Sequence, residues 1–471
     1  MLSAEQLFLS VRELGERIRR QQISPVELTE SYLQRSERIG PKLNAYVTLT
    51  RDLALDQARA AEREIAGGHY RGPLHGIPYA VKDLLAVKGY PTTWGAKPYV
   101  HQQFNYNATV VNRLSGAGAI LIGKAAMIEL AGGLGYSNAY ASLTGPARNP
   151  WNTKYWTCGS SSGSGAITAA GLAGFTLGSD TRGSIICPAA YCGVAGVRPS
   201  FGRVSRYGAM TIAYSVDKIG PLARTADDCG LILSVICGHD PKDHDSLPSD
   251  EARFPYAELS SEPQRPLRIG RLTNAYEKLA PGLASALERA FSVLEHHGAH
   301  VADAKLPEGP FLETIFATVY TESSSAFHSL IASGRVAELQ DETARVSGYA
   351  REQIAGCDYL HAQRVRLFLM ERIDKLFDDF DVISTASFPT TATLLNPPPG
   401  YKRPRYGPEI VGAIASLCGL PTITVPCGFS DEKLPFGIQF VGRALNDYDV
   451  IAAARLFQQY TDWHKMHPPI G

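Results

Sequence analysis

Apolar residues in this chain follow two patterns. Through the first 66 residues they recur at helical spacing among many charges. Ser24-Pro25-Val26-Glu27 has the form of a helix start, with serine as the cap, proline at the first helical position and glutamate three residues after the cap. Residues 52–66 read as another helix, stopped by Gly67-Gly68. Residues 1–66 are therefore expected to form a helical layer without catalytic groups. From Leu74 the pattern changes to short, nearly continuous apolar runs at 76–81, 119–122, 174–177, 382–383 and 423–425. These alternate with helical segments such as 358–377, which reads as an amphipathic helix feeding the 382–383 strand. Strands apolar on both sides belong to a sheet covered on both faces. The expectation is an α/β fold, one domain over residues 1–471, with no internal repeat and no linker. Residues 396–408, which hold a proline triplet and Lys402-Arg403-Pro404-Arg405, read as a surface loop.

Composition narrows the function classes. Lys+Arg and Asp+Glu balance at 46 each, so no global field favours nucleic acid or an anionic membrane. No apolar stretch reaches the roughly 18–20 residues that a spanning helix needs. The N-terminus has no basic segment ahead of an apolar one, so a secretory signal is not expected and the chain reads as cytoplasmic. Its eight cysteines (158, 187, 192, 229, 237, 357, 418, 427) show no CxxC pair and no zinc spacing. They are expected to be small buried hydrophobes of a reducing compartment.

Three motif matches fail on context. Residues 118–124 fit the opening of a phosphate loop, but Ala125 stands where a hydroxyl must meet magnesium, and the intervening residues are strand-like; a buried strand followed by a turn fits better. Gly159-Ser160-Ser161-Ser162-Gly163 satisfies G-x-S-x-G with Ser161 at its centre, yet a turn-rich stretch replaces the strand which that elbow requires. His296, His297 and His300 sit where a helical run ends at Gly298, a position that favours imidazole without any metal.

The chemistry gathers in two glycine- and serine-rich loops, 158–165 and 178–184, which place Ser160 and Ser184 24 residues apart. Apolar residues Ile167, Leu172, Phe175 and Leu177 run between them, so this is packed structure and not a flexible linker. Ser184 follows an apolar strand and a tight loop and precedes a helix start, where unpaired N–H groups converge. The N–H groups of Thr181, Arg182, Gly183 and Ser184 are placed to stabilise an oxyanion. Upstream, the apolar run 76–81 ends at Lys82-Asp83.

Together these segments resemble the amidase signature family, whose hallmark is Gly-Gly-Ser-Ser-Gly-Gly-Ser followed by Gly-x-Asp-x-Gly-Gly-Ser-Ile-Arg; the counterparts here are 158–164 and 178–186. The resemblance extends through Gly76-Ile77-Pro78, Cys192-Gly193-Val194-Ala195-Gly196-Val197-Arg198-Pro199, Gly419-Leu420-Pro421 and Leu434-Pro435-Phe436-Gly437-Ile438-Gln439. It implies a large mixed β-sheet sandwiched between α-helical layers, and a triad of Ser184 as nucleophile, Ser160 (with its peptide in the cis form) as bridge and Lys82 as base. A lysine must be neutral to accept a proton, and burial without a carboxylate partner lowers its pKa. Asp83 points to the opposite side of an extended strand and is not expected to pair with Lys82. The resemblance gives Asp180, with Ser161, a supporting role in the loops, and draws the substrate pocket from Ala131-Gly132-Gly133-Leu134 and the segments near Tyr320 and Tyr401. It implies no metal and no organic cofactor. Two departures from the family pattern matter most, Arg182 in place of glycine and Ile186 in place of arginine; Ser162 in place of glycine is a lesser change. Arg182 either meets a substrate carboxylate or points to solvent.

The expected activity is hydrolysis of a small-molecule amide through an acyl-enzyme, with no nucleic-acid or membrane partner and a homodimer as the candidate assembly. Residues 461–469 favour a stand-alone amidase. The alternatives are the A subunit of a tRNA-dependent amidotransferase, which frees ammonia from glutamine for a partner protein, and an inactive binding protein on the same scaffold.

Overall fold

The computed structural model describes residues 2–261, 265–398 and 409–470. These contain eleven strands: β1 (Tyr46–Leu49), β2 (Pro78–Lys82), β3 (Ile120–Ala125), β4 (Phe175–Asp180), β5 (Ala195–Arg198), β6 (Lys218–Ala223), β7 (Arg268–Leu272), β8 (His300–Ala304), β9 (Val382–Ala386), β10 (Thr422–Phe429) and β11 (Pro435–Gly442). They join into one sheet in the order β1-β3-β2-β4-β6-β5-β10-β11-β9-β7-β8. Pairing is parallel within β3-β2-β4 and β9-β7-β8, and antiparallel elsewhere. Every residue of β2, β3, β4, β5, β6, β9 and β11 is buried. Successive side chains alternate between faces, so complete burial means that helices cover both sides.

The capped start at Ser24 opens the helix Pro25–Leu43, with Ser24 Oγ accepting from the N–H groups of Val26 (3.0 Å) and Glu27 (3.2 Å). A second helix, Arg51–Ala66, follows. Between them lies β1, a four-residue edge strand that the helical reading of residues 1–66 did not include; none of its residues is fully buried, so it carries little hydrophobic signal. The run at 119–122 continues as strand to Ala125 where a turn was expected. Burial of Lys124 there is tolerable because Asp83, equally buried, pairs with it at 2.9 Å. The expected amphipathic helix at 358–377 is Gly356–Asp374, and it is less amphipathic than its charges suggest. Its inner face buries Ala362, Leu369 and Ile373, while Leu360, Leu367 and Phe368 lie more than 60% exposed on the other. Helix Leu283–His296 ends at the histidine cluster, where His297 stacks on Tyr460. The part of the expected surface loop from residue 399 to 408, with Tyr401, lies outside the described residues. No helix among the described residues is long and apolar enough to cross a membrane.

One contact brings the first Ser loop against the sheet. Gly163, in the first turn of helix Ser162–Ala169, donates its N–H to the Ala126 carbonyl at 2.8 Å. A Cβ at this position would fall 2.4 Å from the Ala45 carbonyl oxygen and 2.5 Å from the Ala126 nitrogen. Both obstacles are backbone and cannot turn away. Gly163→Ala is therefore expected to destabilise the protein by about 1–3 kcal/mol, read as a lower melting temperature.

Candidate active site

Lys82 is the last residue of β2 and is fully buried. Its Nζ donates to Ser160 Oγ at 2.7 Å and to Ser179 Oγ at 2.9 Å. The next residue, Asp83, turns away to Lys124 and accepts the Thr93 N–H at 3.0 Å. Among the described residues no carboxylate bonds Lys82. Burial pushes its pKa from 10.5 down to about 7, against the weaker opposing pull of Asp180 and Asp217. Near neutral pH a large fraction of this amine is uncharged.

The Gly159–Ser160 peptide is cis. The Ser160 carbonyl accepts the Ile128 N–H at 3.2 Å, and the residue is 1% exposed. Ser161 ties the two loops together. Its N–H donates to the Ser184 carbonyl (3.3 Å), its hydroxyl donates to the Ser179 carbonyl (3.2 Å), and its Oγ accepts the Ser179 N–H (3.3 Å). It is completely buried and does not line the cavity, which agrees with setting aside the G-x-S-x-G elbow.

Ser184 stands between β4 and helix Ile186–Cys192 and lines a cavity of about 760 Å³. Asp180 shapes the loop before it, accepting the N–H groups of Gly183 (2.6 Å) and Ile185 (2.7 Å). Burial opposes ionisation of this carboxyl. Arg198 at 3.3 Å and the two N–H groups outweigh that and hold its pKa below the usual value. Gly183 has φ +107°, a conformation that glycine adopts without a Cβ penalty. Its N–H serves Asp180, a different duty from the oxyanion role expected for it. Thr181 is fixed through its hydroxyl, which donates to Asp217 Oδ1 at 2.6 Å.

The two departures from the family pattern now have surroundings. Ile186 packs in an apolar cluster with Tyr191 and Phe388. The guanidinium beside Asp180 comes from β5: Arg198 is buried and also donates to Ser416 Oγ (3.0 Å) and Thr422 Oγ1 (2.6 Å). Arg182 lies on the cavity wall, its guanidinium 4.5 Å from the centre of the Phe316 ring. Arg351, which sequence reasoning missed, covers the Tyr320 ring at 4.0 Å and donates to the Gly133 carbonyl at 2.6 Å. Ala131, Gly132, Gly133 and Tyr320 line the cavity, whereas Leu134 is buried in the core. Glu409 also lines it.

The reading of all eight cysteines as small buried hydrophobes of a reducing compartment needs correction, since Cys357 is exposed, Cys237 is half-buried and two others are joined. Cys158 and Cys187 form a disulfide, with Cα atoms 5.9 Å apart; the other six are free. Residues far apart in the chain meet because both Ser loops end at the same cavity. Among the described residues no cluster of His, Cys, Asp or Glu is arranged to hold a metal ion.

Comparison with known proteins agrees with this fold. The profile of the Amidase family matches residues 27–451. The A subunit of glutamyl-tRNA(Gln) amidotransferase from Geobacter metallireducens is 36% identical, over 97% of this chain and 98% of its own. Among solved structures, the peptide amidase of Stenotrophomonas maltophilia superposes with a TM-score of 0.86 at 30% identity, covering 98% of both chains. The A subunit of the Thermotoga maritima glutamyl-tRNA(Gln) amidotransferase gives 0.79 at 27% identity, covering 100% of this chain and 98% of that one. The chain belongs to the amidase family of the amidase signature enzymes, which act on amide C–N bonds.

Proposed function

We propose that the protein hydrolyses a carboxamide through an acyl-enzyme on Ser184. The observation that carries this reading is a fully buried lysine, with no carboxylate bonded to it among the described residues, 2.7 Å from the Ser160 hydroxyl and with its pKa pushed down to about 7. Neutral Lys82 takes the Ser160 proton as Ser160 takes that of Ser184, and Ser184 Oγ attacks the carbonyl carbon. The N–H groups of Thr181, Arg182 and Ser184 receive the oxyanion; Gly183 is left out because Asp180 holds its N–H. Ser160 then protonates the departing nitrogen, and ammonia or an amine leaves. A water molecule, deprotonated along the same relay, cleaves the ester and restores Ser184.

Two sources of amide fit this chemistry. One is a free small molecule, hydrolysed by the chain acting alone; the similarity to the peptide amidase supports it. The other is glutamine, hydrolysed within a complex in which the chain hands ammonia to a partner protein. Full-length similarity to the A subunits of amidotransferases supports this second reading, and residues 461–469 do not outweigh it. The cavity wall also supports it: Arg182 and Arg351 together with Glu409 offer both signs of charge, which suits a zwitterionic amide better than a fatty one. Ammonia release by the purified chain from aliphatic amides, aryl amides, hydrazides, ureido compounds and glutamine separates the two. Turnover of a small amide without a partner supports the first. Turnover confined to glutamine, and raised by an added partner protein, supports the second. A wild-type protein that releases no ammonia and whose Ser184 resists a fluorophosphonate is a binding protein.

A further inference from the structure

The Cys158–Cys187 bridge encloses the reacting serines: Cys158 lies two residues before Ser160, and Cys187 three residues after Ser184. Both half-cystines line the Ser184 cavity, and they are 8% and 5% exposed. Around the bridge pack Ile186, Tyr191 and Phe388. The loops it joins are otherwise held by hydrogen bonds: Lys82 donates to Ser160 and Ser179, the Ile128 N–H holds the Ser160 carbonyl, and Asp180 accepts from Gly183 and Ile185. Glycine and serine make up residues 159–165, a fully buried run whose fit depends on close backbone approach and not on bulky side chains. Among the described residues the hydrogen bonds made directly between the two loops are those of Ser161, at 3.2–3.3 Å. Ser160 and Ser184 must nonetheless keep a fixed separation for a proton to pass. A displacement near 1 Å in such an arrangement costs about 100-fold in rate.

We propose that the Cys158–Cys187 disulfide is a positioning element for acyl transfer, holding the Ser160 loop against the Ser184 loop, so that turnover is fastest with the bridge closed. The proposal rests on the acyl-enzyme reading above. Because both half-cystines line the cavity, a small dithiol approaches the bridge by the route the substrate takes. Reduction adds two electrons and two protons, yielding two thiols while dithiothreitol closes to its cyclic disulfide. A small disulfide such as oxidised glutathione reverses the exchange, accepting the two electrons and two protons and leaving as two thiols.

The test treats the full chain with dithiothreitol under native conditions and follows thiol count, melting temperature, kcat and KM on whichever amide it hydrolyses. Titratable thiols in the unfolded protein should rise from six to eight. The expected result is a fall in kcat of about tenfold or more with KM little changed, restored by oxidised glutathione. Bound substrate should slow the loss, since it covers the sulfurs; a bridge with a purely stabilising role would not show that protection. The double variant Cys158→Ser/Cys187→Ser should match the reduced enzyme and ignore dithiothreitol, whereas Cys357→Ser should keep the response. Unchanged kcat with eight free thiols overturns the inference, as does a loss that tracks melting temperature alone. Failure of the acyl-enzyme reading is separate: it appears as turnover that persists in Ser184→Ala, whatever the state of the bridge.

Discussion

Alanine at position 184 is expected to reduce kcat/KM by about 10⁴-fold or more, with no residue left to carry the acyl group. The fold should survive. Ser184 lies at the cavity surface and its hydroxyl forms no hydrogen bond among the described residues, so its removal orphans no buried partner. Melting temperature and circular dichroism should match the wild type, while ammonia release and fluorophosphonate labelling disappear together. The residual rate reports what the oxyanion loop and the cavity supply without a nucleophile. Alanine at Ser161 offers a contrast, because that hydroxyl bonds the Ser179 backbone and holds the loops together. Its loss should lower both stability and kcat.

Methionine in place of Lys82 should lower kcat by about 10²–10⁴-fold, the usual worth of a positioned base. The pH profile gives this prediction its sign. With the lysine pKa pushed down to about 7, the amine is neutral above that pH and charged below it. The wild-type rate should therefore be level above pH 7 and fall tenfold per unit below it, and Lys82→Met should lose that inflection. Stability runs on the same linkage. The folded lysine titrates near 7 and the unfolded one near 10.5, so between those values the unfolded chain binds more protons. Stability from this group thus rises with pH across that window, and below pH 7 the folded protein bears the full cost of a buried ammonium. Lys82→Met escapes this cost, and its melting temperature at pH 6 should not fall below that of the wild type. Lost activity in a variant at least as stable as the parent excludes unfolding as the cause.

How much of this was legible in the sequence depended on whether the deciding contact was local. The parallel strands β2, β3 and β4 were visible because strands buried on both faces must be apolar throughout. Lys82, Ser160 and Ser184 stood out because each lies where an apolar run or a side-chain-poor turn ends. Ser179 was overlooked, although strand alternation held the clue: along β4 it faces away from Asp180, so one residue meets Lys82 and the next meets Arg198. Arg198 itself was visible as a residue but not as Asp180's partner, since the two strands they occupy are brought near one another through β6. The disulfide was hidden for the same reason. Its cysteines are 29 residues apart, and spacing says nothing of pairing until both loops are seen at one cavity. β1 was missed because four half-exposed residues between two strong helices leave almost no hydrophobic period. The choice between a stand-alone enzyme and a component of a complex rests on surfaces that meet other proteins, and no short motif encodes those.

Turnover at this site requires an uncharged Lys82 acting through Ser160 on Ser184. The most direct measurement of that requirement is the rate of fluorophosphonate modification between pH 5 and 9, with the modified residue identified by peptide mass. A single adduct on Ser184, formed at a rate that levels off above pH 7, drops tenfold per unit below it and collapses in Lys82→Met, is the predicted result. An adduct on another residue, or a rate that ignores both pH and the loss of Lys82, would contradict it.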